Sequence, residues 1–238
     1  MRASFYNALP ETATFCLWRA DTLLATASLI LDSPMGLPME EVYPEEIQNL
    51  RKQGRKLCEV SLLALNSDII SKGILPIYFA ERLRCLYQIF KPILWYARNT
   101  VGHTDLCIAM NPTHKMLYSS LYFEQFGEER IYESVKGNPS IAMRLNFDQL
   151  EERAKKTPGL HKLFLENSLQ LRKISEIFRW NAEDFTYFFI EHSDVLKKAR
   201  PEQIEYLTKI YPELPIRKMV QLLNSPSRDG RTTAGTRT

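Results

Sequence analysis

The stretch Leu57 to Asn66, L-C-E-V-S-L-L-A-L-N, constrains the fold more than any other part of the chain. Its β-rich apolar character reads as a central strand, and Leu62 to Leu65 is apolar on both faces, as expected of a strand covered on both sides. Strict alternation puts Leu57, Glu59, Ser61, Leu63 and Leu65 on one face and Cys58, Val60, Leu62 and Ala64 on the other. Glu59 and Ser61 are therefore polar groups where a core strand normally carries none. A carboxylate in that setting must meet water, a cation or a reacting group, because burying it unpaired is too costly. A strand-end ion pair with Arg55 or Lys56 is the plain structural alternative.

The rest of the chain arranges itself around this strand. Thr12 to Arg19 and Thr22 to Leu31 read as an antiparallel hairpin. A turn-rich loop, D-S-P-M-G-L-P, leads to a helix opened by Pro44-Glu45-Glu46 and closed before Gly54. Its charges switch from acidic to basic along the axis, which suits the helix dipole. After the central strand, Phe79, Leu83, Leu86, Phe90 and Ile93 mark one face of a long helix, which Pro92 is expected to kink or end. Thr104 to Met110 reads as a buried strand, and Asn111-Pro112 as the start of a helix running to about Leu121. Phe123 to Glu133 and Ser140 to Phe147 read as two further strands. From Asp148 the patterns are helical only: Asp148 to Lys156, Leu160 to Phe178, Ala182 to Lys197 and Pro201 to Tyr211. The aromatics of this region are read as core. The element order predicts an α/β fold with a mixed sheet and helices on both faces. The domain boundaries read as 1–147 for the sheet, 148–223 for a C-terminal all-helical extension and 224–238 for a polar, disordered tail.

Charge and cysteine usage narrow the function classes. Of a net charge of +3, most lies in the tail beyond Asn224, which holds three Arg and one Asp, so the body shows no nucleic-acid footprint. No apolar run is long enough for a transmembrane helix, and the first ten residues lack the apolar core of a secretory signal. Cys16, Cys58, Cys85 and Cys107 stand far apart in apolar patterns and read as reduced, buried thiols of a cytoplasmic protein. The four histidines have no metal-ligand spacing, so no metal site is expected.

Four motifs carry a resemblance to a known family: G-L-P-M-E-E-V-Y (36–43), L-R-K-Q-G-R-K-L-C-E-V-S-L-L-A-L (50–65), N-P-T-H-K-M-L-Y-S-S-L-Y-F (111–123) and S-V-K-G-N-P-S-I-A-M-R-L (134–145). In this order and spacing they resemble the bacterial N-acyl amino acid synthases of the long-chain N-acyl tyrosine synthase type, within the GNAT acyltransferase superfamily. The resemblance implies a GNAT-like fold and transfer of a fatty acyl group to the amine of an amino acid. The donor would be the acyl-phosphopantetheine of acyl carrier protein, or acyl-CoA, with no permanently bound cofactor. It also implies a gap beside the central strand for the pantetheine arm, with backbone N–H groups there to polarise the thioester carbonyl.

On the matching positions, Glu59 would be the base, acting directly or through a water that Ser61 helps orient, and Tyr118 the acid for the departing thiolate. Leu63, Ala64, Ser71, Lys72, Gly73, Asn111 and His114 would line the donor arm, the 71–73 amides meeting its phosphate. The region after the central strand lacks the glycine-rich loop of coenzyme-A-using relatives, which favours the carrier protein's single phosphate. Arg51, Lys52, Arg55 and Lys56 would dock the acidic carrier protein, although a solvated helix face explains them equally well. The chain departs from the family in three places. Leu62 stands where the family carries Arg, Tyr122 where it carries Gly, and the strand and helices that precede the T-A-T-F strand in the family are absent from this sequence. Two other functions stay open at this point: a non-catalytic acyl- or carrier-binding module, and an acyl-homoserine-lactone synthase.

Overall fold

Six strands make one mixed sheet in the order β1-β2-β3-β4-β6-β5. They are β1 Thr12–Arg19, β2 Thr22–Leu31, β3 Leu57–Leu65, β4 Asp105–Met110, β5 Glu124–Tyr132 and β6 Asn138–Asn146. The computed structural model describes residues 3–66, 68, 75–156 and 179–224. The expected helix Leu160 to Phe178, the tail, and residues 71–73 lie outside the described residues. Only the β3–β4 pairing is parallel; the other four are antiparallel. The parallel connection is made by α2, Leu75–Trp95, which is long enough for such a crossover.

One sheet face packs on α2. Ala27, Leu29, Cys58, Val60, Leu106, Ile108, Ile141 and Met143 share a single apolar core with Leu86, Phe90 and Ile93 of that helix. The spacing of four and three along α2 is the amphipathic face read from the sequence. Pro92 does not end the helix, which continues to Trp95 and a π turn at Tyr96–Thr100. Ile89, Phe90, Ile93 and Leu94 are all buried around the proline, and that burial offsets a backbone cost of about 3 kcal/mol. α4, Phe147–Lys156, adds Phe147, Leu150 and Ala154 to the same core.

The opposite face is covered by α1, Pro44–Lys52, and by a 3-10 turn at Pro38–Glu41. Met39, Tyr43 and Ile47 are completely buried there. The Tyr43 hydroxyl donates to the Ser140 carbonyl at 2.5 Å, and its ring lies on Gly127 of β5. A Cβ at Gly127 would meet both Ala142 Cβ and Tyr43 Cδ1 at 2.8 Å. Gly127→Ala is therefore expected to cost about 1–3 kcal/mol through overpacking, read as a lower urea midpoint at unchanged slope. An unchanged midpoint would show that the tyrosine ring can move aside freely.

The chain divides into two compact units, residues 9–179 with the sheet, and residues 3–8 together with the segment from Trp180 onward. In the second unit, α5 Ala182–Thr186 is capped by Asn181, whose side chain accepts from the Asp184 N–H, and it passes into a π turn at Tyr187–Glu191. The helix expected to reach Lys197 stops there, before His192-Ser193-Asp194. α6 Pro201–Ile210 and α7 Ile216–Asn224 follow. Phe185, Phe189, Leu207 and Tyr211 are buried, while Tyr187 is exposed. Residues 3–8 are bound into this unit by two bonds, from Trp180 Nε1 to the Asn7 carbonyl at 2.8 Å and from the Tyr211 hydroxyl to the Ala8 carbonyl at 3.0 Å.

Candidate active site

The central strand β3 is paired to β4 over three residues only: Leu57 with Asp105, Cys58 with Leu106 and Glu59 with Cys107. Beyond them the ladder stops, although β3 runs on to Leu65 beside β2 and β4 runs on to Met110 beside β6. The cause is written into β3 itself. Ser61 pairs with Ser28 and Ala64 with Thr26, so Leu62 and Leu63 together oppose Ala27 in a bulge. Leu62 takes a φ of 54°, a left-handed conformation unusual for leucine. A bulge bends its strand and increases its twist, which carries the second half of β3 away from β4. The result is a fork. The main-chain groups along its two inner edges have no ladder partner in each other, and a bound arm or water must satisfy them.

The bulge also overturns the alternation expected beyond Ser61. Ser61 and Ala64 share the face of Glu59, since their partners Ser28 and Thr26 are two residues apart on β2. Leu65, opposite Ala25, falls on the α2 face instead, where it packs against the apolar core together with Leu63. Neither leucine shares the Glu59 face, because an inserted residue reverses every side chain that follows.

Glu59 sits at the apex of the fork, in the last pair of the ladder. Its side chain is buried, and its carboxyl Oε2 accepts a hydrogen bond from the Met39 N–H at 2.9 Å. Burial pushes its pKa up to about 8; the Met39 N–H works against that rise and the Glu40 charge adds to it. A carboxyl that titrates close to neutrality has the proton affinity wanted of a general base. The ion pair with Arg55 or Lys56 does not form. Arg55 instead donates from Nε to Asp105 at 2.5 Å and from a terminal nitrogen to Asp148 at 3.0 Å, and Lys56 is exposed.

The turn that supplies the Met39 N–H is the G-L-P-M-E-E-V-Y segment. Glu40 bends back to accept from the Leu37 N–H at 2.6 Å, and a Cβ at Gly36 would come within 2.7 Å of that carboxylate. Arg51 of α1 donates to Glu40 Oε2 at 2.7 Å and to both carboxylate oxygens of Asp32 at 2.8 and 2.7 Å. Arg51 and Arg55 thus have internal carboxylate partners, while Lys52 and Lys56 project into solvent.

Tyr118 lies on the other face of the sheet, in the apolar core that α2 covers. The expected helix to Leu121 is shorter, a 3-10 turn at Pro112–His114 followed by α3, Lys115–Ser119. Asn111 caps it as expected, its Oδ1 accepting from the Thr113 N–H at 3.0 Å, and His114 lies exposed in the first turn. Tyr118 packs edge-on against Phe90 and Phe123, with ring centroids at 6.1 and 5.8 Å. Burial raises its pKa to about 12, against a lowering by the Arg82 charge. Glu59 and Tyr118 therefore lie on opposite sides of the sheet, Glu59 under the 3-10 turn and Tyr118 in the α2 core. Tyr122, where the resembled family has glycine, adopts a φ of 67° just after α3, so the turn keeps the glycine-type backbone with a bulky residue.

Of the other expected residues, Ser61 and Leu63 are half-buried and Ala64 is exposed, all on the fork strand. Cys58, Cys85 and Cys107 are buried, but Cys16 is exposed, because the outer face of the edge strand β1 has no covering layer among the described residues. Two participants escaped the sequence reading. The Met39 N–H is a backbone donor with no side-chain signature. Asp105 is wholly buried at the closed end of the fork, held by Arg55, by the Thr104 hydroxyl at 2.8 Å and by Arg144 at 3.7 Å.

Comparison with known proteins agrees with this geometry. Residues 1–146 match the family described as N-acyl amino acid synthase FeeM. Among solved structures, FeeM, an N-acyl amino acid synthase from uncultured soil microbes, is similar at 31% identity, covering 67% of this chain and 75% of that one with a TM-score of 0.51. An acyl-CoA N-acyltransferase from Pseudomonas aeruginosa aligns at 17% identity over 56% of this chain and 67% of that one, TM-score 0.36. A CoA-dependent acyl-homoserine lactone synthase, BjaI, aligns at 14% identity over 64% of each chain, TM-score 0.41. No curated protein matches the chain. With the family match running through the whole sheet and all four motifs, the chain belongs to the FeeM family of N-acyl amino acid synthases and is an acyltransferase.

Proposed function

We propose that the protein transfers a long-chain fatty acyl group from the phosphopantetheine thioester of acyl carrier protein to the amine of an amino acid. The observation that carries this reading is the fork between β3 and β4 with a buried, near-neutral carboxyl at its apex. The donor arm enters the fork, lined by Leu63 and Ala64 on one side and by Asn111 and His114 near the end of the other. Free main-chain N–H groups there polarise the thioester carbonyl. Lys52 and Lys56, beside the ion-paired Arg51 and Arg55, face the carrier protein; the phosphate contact expected of residues 71–73 lies outside the described residues.

The amine attacks the carbonyl carbon from the Glu59 side. Glu59 takes the amine proton, directly or through a water beside Ser61, as the C–N bond forms. The C–S bond then breaks and the electron pair leaves on sulfur. Tyr118 stays protonated at any working pH because burial disfavours its phenolate. Its pKa lies above the ordinary thiol range, so its contribution is a hydrogen bond to the departing thiolate rather than complete transfer of its proton. Solvent supplies the proton that finally neutralises the sulfur.

Incubation with long-chain acyl carrier protein and a mixture of amino acids should give an N-acylated product by mass spectrometry, with the matching acyl-CoA as a parallel donor. Tyr118→Phe should lower turnover by roughly 10²-fold while leaving the fold intact. Product from acyl-CoA alone would overturn the carrier-protein assignment. No product from either donor with any amino acid would sink the reaction.

A further inference from the structure

We propose that Arg51 is a positioning residue for the Glu59 carboxyl. By holding Glu40 and Asp32 together it fixes the 3-10 turn, and with it the Met39 N–H, over the central strand. This deepens the assignment of Glu59 as base and rests on it. The path is continuous and short. Arg51 spans Asp32 at the end of β2 and Glu40 on the turn, each at 2.5 to 2.8 Å. Glu40 in turn accepts from the Leu37 N–H at 2.6 Å, two residues before the amide that donates to Glu59 at 2.9 Å. A guanidinium is the group that can hold two carboxylates in fixed planes, because it has paired donors and does not lose its proton.

The charges around Glu59 give the arrangement a readable sign. Glu40 faces it from the turn, with Arg51 of α1 behind. From β4, Cys107 lies directly opposite and Asp105 two residues earlier, and Arg144 of β6 stands beside them. Ile30 of β2, the antiparallel partner, is uncharged. Removing Arg51 unmasks the Glu40 charge and loosens the Met39 N–H, and both changes favour the protonated carboxyl. Neutralising Glu40 removes a negative neighbour, while a glutamine oxygen there can still accept from Leu37, so the carboxyl should ionise more easily. The two substitutions must therefore move Glu59 in opposite directions.

The test is an NMR titration of the full chain with 13C-labelled glutamate and no substrates, the Glu59 signal being identified by its loss in Glu59→Gln. Arg51→Gln should raise the Glu59 midpoint by roughly one pH unit, the size of a weakened charge-assisted hydrogen bond. Glu40→Gln should lower it by roughly half a unit. Since no turnover is measured, this result stands apart from the acyl-transfer assay. An unchanged midpoint in Arg51→Gln, or a shift of the same sign in both variants, would overturn the proposal. If Arg51→Gln does not fold, an unchanged or raised midpoint in Glu40→Gln overturns it alone. In the enzyme assay, the ascending, acidic limb of the kcat/KM profile should follow the same displacements.

Discussion

Glu59→Gln is expected to lower kcat/KM by about 10²- to 10⁴-fold, the usual contribution of a positioned base, and at the same time to stabilise the fold at alkaline pH. The second half follows from the direction in which burial moves the carboxyl. Its folded pKa of about 8 lies above the ordinary value of 4.5. Between those two values the native state holds a proton that the unfolded chain has released, so stability falls as pH rises through that window. Below it both states are protonated, and above it both are ionised and the loss is complete, on the order of a few kcal/mol. Glutamine keeps an acceptor for the Met39 N–H and has no such penalty. The melting temperature of the variant should therefore gain on the wild type steadily from pH 5 to pH 8.5 and then hold its lead. A difference independent of pH would show that Glu59 is not the buried acid described here.

Asp105→Ala should be the most destabilising single change among the charged residues, at about 3–5 kcal/mol. Asp105 is wholly buried, and its removal deprives Arg55 and Arg144 of their shared carboxylate partner. The loss is local in a useful way. Asp105 opens the three-residue ladder between β3 and β4, and Arg55, two residues before β3, links it to Asp148 of α4. This cluster closes the narrow end of the fork. Urea unfolding should show the drop in midpoint, and Asp105→Asn, which can keep the bond from the Thr104 hydroxyl, should lose less. If the two variants unfold together and within about 0.5 kcal/mol of the wild type, the cluster is not what holds the strands.

The strands and the long helix follow from features that a sequence displays openly, alternation, capping residues and the helical spacing of α2, whereas the order β1-β2-β3-β4-β6-β5 around the sheet is a finding of the structure. The fork was legible only through family resemblance. Its bulge sits at Leu62, and nothing in a leucine announces a left-handed backbone, since glycine or asparagine is the usual sign. Glu59 stood out as a carboxyl in an apolar strand, whereas its partner is a main-chain N–H twenty residues earlier that no side chain betrays. The acidic-to-basic order of α1 satisfies the helix dipole, and the partners expected from sequence for its basic end are Glu59 and a carrier protein rather than Asp32, Glu40, Asp105 and Asp148. Arg51 and Arg55 nevertheless reach carboxylates on other elements, which only the tertiary fold brings near. Pro92 shows the reverse case: of the kink or end it signalled, the end does not occur, with buried residues on both sides of it.

The binding of residues 3–8 into the unit that begins at Trp180 has a consequence for synthesis. The partners of Asn7 and Ala8 lie 173 and 203 residues later in the chain. At 5–20 residues per second, a ribosome needs roughly 10–35 s to deliver the first of them. During that interval the opening segment, with Phe5 and Ala8 destined for a core that does not yet exist, has no native place to go. The sheet can form behind it, since its strands are complete by Asn146. Residues 3–8 are thus among the last parts of the chain to find their native contacts.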